Sequence, residues 1–254
     1  MKRLLTAVAL LVFALYLIFW SPNPVFFGAA TLVGVLCYRE YSELVVRHGI
    51  RSQLWLGMAG GLLLLFLPRH ALIGISLLIV LAFIIALRDR ELRDVLPEVA
   101  CIALGAFYTF SPWRFAIELR AISVHLLFFA LALNWAGDSL AYYVGRRFGK
   151  HRLAPAVSPS KSWEGSLASV AGSVLFGVFY LGYFGPHFPA WQVVTMAISA
   201  NVAGQFGDLA ESAMKRGAGV KDSGELLPGH GGVLDRLDSS MFAIPVVYLF
   251  SLWK

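Results

Sequence analysis

Long apolar runs separated by short polar breaks recur along almost the whole chain. They fall at residues 4–20, 24–38, 53–67, 71–87, 96–112, 121–143, 164–184, 190–214 and 239–253. Their lengths lie between about 15 and 25 residues, around what a helix needs to cross a bilayer. They do not alternate as barrel strands would, and lipid requires each spanning segment to satisfy its own backbone. The pattern therefore predicts an all-α fold: a polytopic integral membrane protein of about nine transmembrane helices. The first two runs are close enough to form a tight hairpin at Ser21-Pro22-Asn23-Pro24.

Charge placement gives this topology a direction. With the N-terminus in the cytoplasm, all but Arg69, Arg114, Arg120 and Lys254 of the 21 lysines and arginines fall in cytoplasmic segments. This is the asymmetry of the positive-inside rule, and it places the C-terminus outside. Composition agrees: of 254 residues 58% are hydrophobic and 14% charged, against about 25% charged in a soluble domain. The first run has a basic start but no small-residue cleavage site before Trp20, so it reads as an uncleaved span. Cys37 and Cys101 lie inside apolar runs, which predicts neither disulfides nor a thiolate metal site. The pI near 9.5 reflects anchors against anionic lipid and not nucleic acid. Residues 1–120 hold about five spans. Residues 121–254 hold the rest, with two polar cytoplasmic loops at 137–165 and 205–238.

Those loops concentrate the chemistry. Asp208, Ser212 and Lys215 recur at i, i+4 and i+7 on one helical face, with Glu211 beside them. An acid at membrane depth usually meets a partner or a watery cavity; the plainer alternative is an interfacial pair with Lys215 or Arg216. The following stretch is rich in glycine, whose backbone closes around anions, and Lys215, Arg216, Lys221 and Arg236 supply charge for phosphate. Asp235 and Asp238 stand three apart before the last span, and an N-cap role competes for Asp238. Carboxylates from two helix ends, Asp208 and Asp235, suit Mg²⁺ completed by substrate phosphates. His230 either bonds phosphate or shapes the turn. In the other loop Asp138, Tyr142 and Arg146 share a helix side, although Arg146 and Arg147 also serve as ordinary anchors. Ser162 is an expected N-cap with Glu164 in the first turn, which places Lys161 where a helix start already favours anions.

SAMKRGAGVKDSGELLPGHGGVLDRLD, residues 212–238, resembles the C-terminal signature of the phosphatidate cytidylyltransferase (CDP-diacylglycerol synthase) family. The matching positions are Ser212, Lys215-Arg216, Lys221-Asp222, His230-Gly231-Gly232 and Asp235-Arg236-Leu237-Asp238. The resemblance extends to QFGDLAES, DSLAYYVGRRFGK and SPSKSWEG, with Ser160 where relatives often carry a second lysine. It implies transfer of a cytidylyl group from CTP to phosphatidate, giving CDP-diacylglycerol and pyrophosphate for phospholipid biosynthesis. It further implies Mg²⁺, alone or with a second cation, on Asp208 and Asp235. The implied catalytic roles extend to Asp238, Lys221 and Arg236. The substrate contacts it implies fall to Lys215, Arg216, His230, Ser212, Lys161, Arg146 and Asp138. The implied setting is a bacterial inner membrane with the site facing the cytoplasm, and a homodimer stays open.

Two other readings are weighed against this one. Another lipid phosphate, such as an isoprenoid type, would use the same nucleotide site. A cation-coupled transporter would place its acids at the midplane on broken helices within paired repeats. Here the acids gather at one face and no repeat is evident.

Overall fold

The computed structural model describes residues 2–88, 91–227, 229 and 231–253. Among these residues the chain forms nine α-helices and one short hairpin. In order they are α1 (Lys2–Phe19), α2 (Asn23–Arg47), α3 (Leu54–Phe66), α4 (Ala71–Ala86), α5 (Leu92–Ile122), α6 (Val124–Phe148), β1 (Arg152–Ala154), β2 (Ser158–Ser162), α7 (Trp163–Phe184), α8 (Ala190–Gly217) and α9 (Leu234–Ser251). The all-α expectation holds. Helices α5, α6 and α7 combine spanning length with apolar composition, and α3 and α4 are shorter apolar helices.

Helix boundaries follow local chemistry. Pro22 takes an extended conformation before α2, and Pro24 sits in the first turn, where its missing N–H breaks no helical bond. Ser123 caps α6 by accepting from the His125 N–H at 3.2 Å. Ser162 caps α7 by accepting from the Gly165 N–H at 3.2 Å, as its sequence position predicts. At the end of α8, Gly219 adopts φ +71°, and the Val220 N–H reaches back to the Lys215 carbonyl at 2.9 Å. That left-handed residue ends the helix and turns the chain into the glycine-rich segment.

Three elements run beyond their apolar limits. Helix α2 continues from residue 38 to Arg47 because its charges are accommodated: Arg39 pairs with Glu43 on the exposed side, while Glu40 is buried among polar partners. Helix α5 continues from residue 112 to Ile122, where Glu118 accepts a hydrogen bond from Tyr248 and Arg120 donates to the Ile18 carbonyl at 2.9 Å. Helix α6 continues to Phe148, and β1 and β2 then pair antiparallel, with Arg152 opposite Ser162 and Ala154 opposite Ser158. The expected loop at 137–165 is thus largely a helix end and a hairpin.

The chain packs as two compact units, each drawn from separated segments. One comprises Met1–Leu17, Ser21–Arg114 and Met214–Arg236; the other comprises Ile18–Trp20, Phe115–Ala213 and Leu237–Lys254. In the first unit Tyr38, Leu44, Leu65, Ile102 and Phe110 are fully buried. Glycines admit the rings: a Cβ on Gly34 would stand 2.8 Å from the Phe110 ring, and Gly57 and Gly61 likewise face Tyr38 and Phe110. Such close approach through small residues drives helix association in membranes, where burial from lipid supplies little.

In the second unit α6 and α7 pack along much of their length, with Leu126, Leu127, Phe129 and Leu133 fully buried. A polar seam runs through this core. Buried Asn201 donates to Ser169 and Ser173 at 3.0 and 2.8 Å and accepts from Gln205 at 2.7 Å; Ser166 donates to Gln205 at 2.5 Å. Gly137 and Gly204 make room for it, since a Cβ on either would collide with Asn201 or Asn134.

Candidate active site

In the second unit, β2 carries Lys161 to Asp208, and the two form an ion pair. Ser212, one turn further along α8, donates to the other carboxylate oxygen at 3.3 Å. Both charged side chains are about one-third exposed or less, 27% for Lys161 and 32% for Asp208. They are therefore partly desolvated yet reachable. A cleft of about 490 Å³ opens here, lined by Asp138, Tyr142, Arg146, Arg152, Lys161 and Gln205 among others. Arg146 donates to the Tyr142 hydroxyl at 3.0 Å, so the i, i+4 spacing of the sequence makes a real contact. Glu164 accepts from both the backbone N–H and the ring Nδ1 of His151, at 3.4 and 2.7 Å, and so braces the hairpin against α7. A Cβ on Gly165 would stand 3.2 Å from the Ala141 carbonyl oxygen and 3.5 Å from Gly145 Cα, so glycine lets α6 and α7 close at the cleft. The cleft thus offers three cations and an acid in a groove large enough for a phosphorylated ligand.

In the first unit, the segment between α8 and α9 folds around Asp235. Its Oδ1 accepts from Lys215 in an ion pair; its Oδ2 accepts from Ser223 N at 2.9 Å, Ser223 Oγ at 3.0 Å and Gly232 N at 2.8 Å. The pair is deeply buried, with 10% of the Lys215 side chain and 5% of the Asp235 side chain exposed. Burial pushes the Asp235 carboxyl upward. Hydrogen bonds from Lys215, Gly232 and Ser223 outweigh it and hold the carboxyl below its ordinary range. Leu227 and Gly231 form an antiparallel bridge within the segment, and Gly231 adopts φ +76° while lying against the Asp235 carboxylate. Arg216 donates to the Val220 carbonyl at 3.1 Å and braces the turn after α8. Exposed Lys221 and Asp222 line a second cleft, of about 730 Å³, with Arg39, Glu43 and Arg47 of α2.

The predicted site residues thus divide between two clusters, each described within its own unit. Asp208, Ser212, Lys161, Asp138 and Arg146 belong to one; Asp235, Lys215, Arg216, Lys221 and exposed Arg236 belong to the other. Asp238 lies in the second turn of α9, which begins at Leu234, so it is not the N-cap that its sequence position allowed. Its Oδ1 accepts from the next residue's N–H, Ser239 N, at 2.6 Å. His230 lies outside the described residues. Among the described residues no group of three or more His, Cys, Asp or Glu side chains could by itself hold a metal. Asp208 keeps a reachable carboxylate, 32% exposed, of the kind that suits a hard cation completed by phosphate oxygens, whereas Asp235 is 5% exposed and a cation there would have to displace Lys215.

Sequence reasoning did not single out two members of the buried cluster, Ser223 and Glu40. Ser223 stands two residues past Lys221, where a small hydroxyl residue reads as ordinary loop chemistry. Glu40 is 5% exposed, and its contacts to the segment cross more than half the chain. Its one available signal was an acid placed next to an apolar run.

Comparison with known proteins bears on the whole chain. The description "Cytidylyltransferase family" matches residues 1–253. A phosphatidate cytidylyltransferase of Staphylococcus aureus (strain COL) is 34% identical over 197 residues, covering 74% of this chain and 75% of that protein. One from Staphylococcus saprophyticus is 34% identical over 202 residues, with the same coverage. One from Staphylococcus epidermidis is 36% identical over 173 residues, covering 66% and 64%.

Proposed function

Starting from a chain that belongs to the cytidylyltransferase family, we propose that it transfers the cytidylyl group of CTP to phosphatidate in the membrane, forming CDP-diacylglycerol. The observation that carries this reading is a motif made twice: a lysine paired with a carboxylate, Lys161 with Asp208 and Lys215 with Asp235. Ammonium groups suit phosphate, and carboxylates suit a hard divalent cation.

In this reaction a lipid phosphate oxygen attacks the α-phosphorus of CTP. One P–O bond forms, the bond to the β-phosphate breaks, and pyrophosphate leaves. The substrate supplies the nucleophile, so the protein's work is positioning and charge stabilisation. Lys215, Lys221, Arg216 and Arg236 are assigned to the triphosphate. Arg146 and Lys161 are assigned to the lipid phosphate, with Asp138 orienting the groups around them. A divalent cation of the Mg²⁺ type would be held at Asp208, and a second at Asp235 in place of the lysine there; each would neutralise phosphate charge. Asp238, Ser212 and His230 complete the assignment as supporting contacts. The proposed topology has nine spans, a cytoplasmic N-terminus, an outside C-terminus and a cytoplasm-facing site in a bacterial inner membrane; the apolar runs and the placement of lysine and arginine along the sequence support it.

The test uses detergent-purified protein, CTP labelled at the α-phosphate, phosphatidate and Mg²⁺. Label passing into an organic-extractable product, with unlabelled pyrophosphate released, supports the reading. Label carried only by an isoprenoid phosphate, or by no lipid, sinks it.

A further inference from the structure

The buried carboxylate of Glu40 is the feature that the functional assignment leaves unused. It projects from α2, within a stretch whose neighbours Tyr38, Tyr41, Leu44 and Val45 are buried core residues. A core position would ordinarily hold an apolar side chain, because an ion in such surroundings is costly unless it is hydrogen-bonded. Glu40 is fully provided for. Oε1 accepts from Val233 N at 2.9 Å; Oε2 accepts from Leu234 N at 2.8 Å and from Ser223 Oγ at 2.9 Å. Every one of these donors belongs to the signature segment, at sequence separations of 183 to 194 residues.

Three details tie this contact to the segment's function. Val233 and Leu234 stand at the start of α9, so a side chain from another helix supplies their missing acceptors and sets where α9 begins. Gly224 and Gly232 of the signature make room for the carboxylate. A Cβ on Gly224 would lie 2.9 Å from Glu40 Oε1, and one on Gly232 would collide with Oε2. Neither glycine has a positive φ, so space and not backbone conformation explains them. Finally, Ser223 Oγ lies 2.9 Å from Glu40 Oε2 and 3.0 Å from Asp235 Oδ2. A hydroxyl has one proton to give, so this serine serves one carboxylate at a time and couples the two.

We propose that Glu40 is a positioning residue for cytidylyl transfer: from the N-terminal half of the chain it fixes the loop and the start of α9 that present Lys221 and Asp235, and through Asp235 the paired Lys215. This rests on the functional reading above. The role is indirect, because Glu40 acts through Ser223, Val233 and Leu234.

The test compares the full-length parent with E40Q and E40D in detergent. It measures kcat, KM for CTP and phosphatidate, thermal unfolding, and amide hydrogen exchange without substrate. A glutamine places an NH₂ group against backbone donors, so the loop shifts while the volume is kept. Misplacement on the scale of 1 Å lowers catalysis by about 100-fold, so E40Q is expected to lose kcat by about that factor with KM for phosphatidate within about twofold. Faster exchange is expected at Val233 and Leu234 and not in α6 or α7. E40D, which keeps the charge on a shorter arm, falls between the two. Parent-like kcat in E40Q, kcat loss that only follows the unfolded fraction, or unchanged exchange at Val233 and Leu234 would each overturn the proposal. A parent inactive on phosphatidate, beside faster local exchange in E40Q, would instead condemn the substrate assignment.

Discussion

Lys215 and Asp235 form a buried ion pair that closes the segment between α8 and α9, joining residues 20 positions apart. Three further donors converge on the same carboxylate, so one aspartate holds a loop, a helix end and a lysine in fixed relation. Removing one partner of such a pair leaves a buried charge without compensation. Asp235→Asn is therefore expected to cost about 3–5 kcal/mol, and to abolish labelled lipid formation even where it folds. Thermal unfolding and the CTP-label assay, run side by side, check the two effects separately.

Acid should act on the same group. Asp235 titrates below its ordinary range in the folded protein, whereas an unfolded aspartate titrates near pH ~4. Between those two points the unfolded chain binds the extra proton, so stability rises with pH there. The contribution is fully present above ~4 and is lost as pH falls through the lower folded value. Stability of the parent should fall with pH below ~4, and that of Asp235→Asn should be flatter over the same range. Parallel curves would show that the segment does not depend on this ionisation.

Lys161→Ala leaves Asp208 charged and partly exposed, so the fold is expected to survive. The cost should appear in catalysis, by about 100-fold in kcat, the scale on which one lost electrostatic donor acts. Lys161→Arg should recover part of it, since charge returns with altered geometry. Steady-state kinetics with saturating phosphatidate measure both; equal kcat in all three proteins would remove Lys161 from the machinery.

Two glycine substitutions separate conformation from space. At Gly219 a Cβ meets nothing within 4 Å, and only the φ of +71° resists it. Gly219→Ala should thus lower stability by about 1–2 kcal/mol, the cost of a left-handed non-glycine residue. At Gly232 the backbone is permissive, but a Cβ collides with Glu40 and Ser223. Gly232→Ala should be the more damaging to activity, and less so in an E40A background. Stability and kcat for the four proteins complete the comparison.

The seam at Asn201 gives a purely structural counterpart. Asn201→Leu strands the polar groups of Ser169, Ser173 and Gln205 that now pair with it. Unpaired buried groups cost about 1–3 kcal/mol each, so unfolding should shift to markedly lower temperature, as circular dichroism at rising temperature can record.

Much of this architecture is legible in the sequence because lipid-facing helices must be apolar throughout. The Ser162 cap and the Tyr142–Arg146 contact follow from local spacing, and the structure contains both. Local reasoning fails where pairing is distant. The charges at Arg39 and Glu40 mark the end of an apolar run, yet α2 continues through them, because Glu40 meets donors that lie beyond residue 220. The hairpin of β1 and β2 mixes charged, proline and small residues without alternation, so no strand period announces it. Asp238 was open to an N-cap role because the start of α9 depends on a side chain from α2 and not on its own neighbours.

The separation between Glu40 and its partners also has a temporal meaning. A ribosome adding about 5–20 residues per second needs roughly 10–40 s to travel the 183 residues from Glu40 to Ser223. During that interval the nascent chain carries an acid whose final donors have not been synthesised. Completion of the first packing unit therefore waits for the start of α9 to emerge. A chain that stalls before residue 223 leaves that acid without the donors that satisfy it in the finished fold.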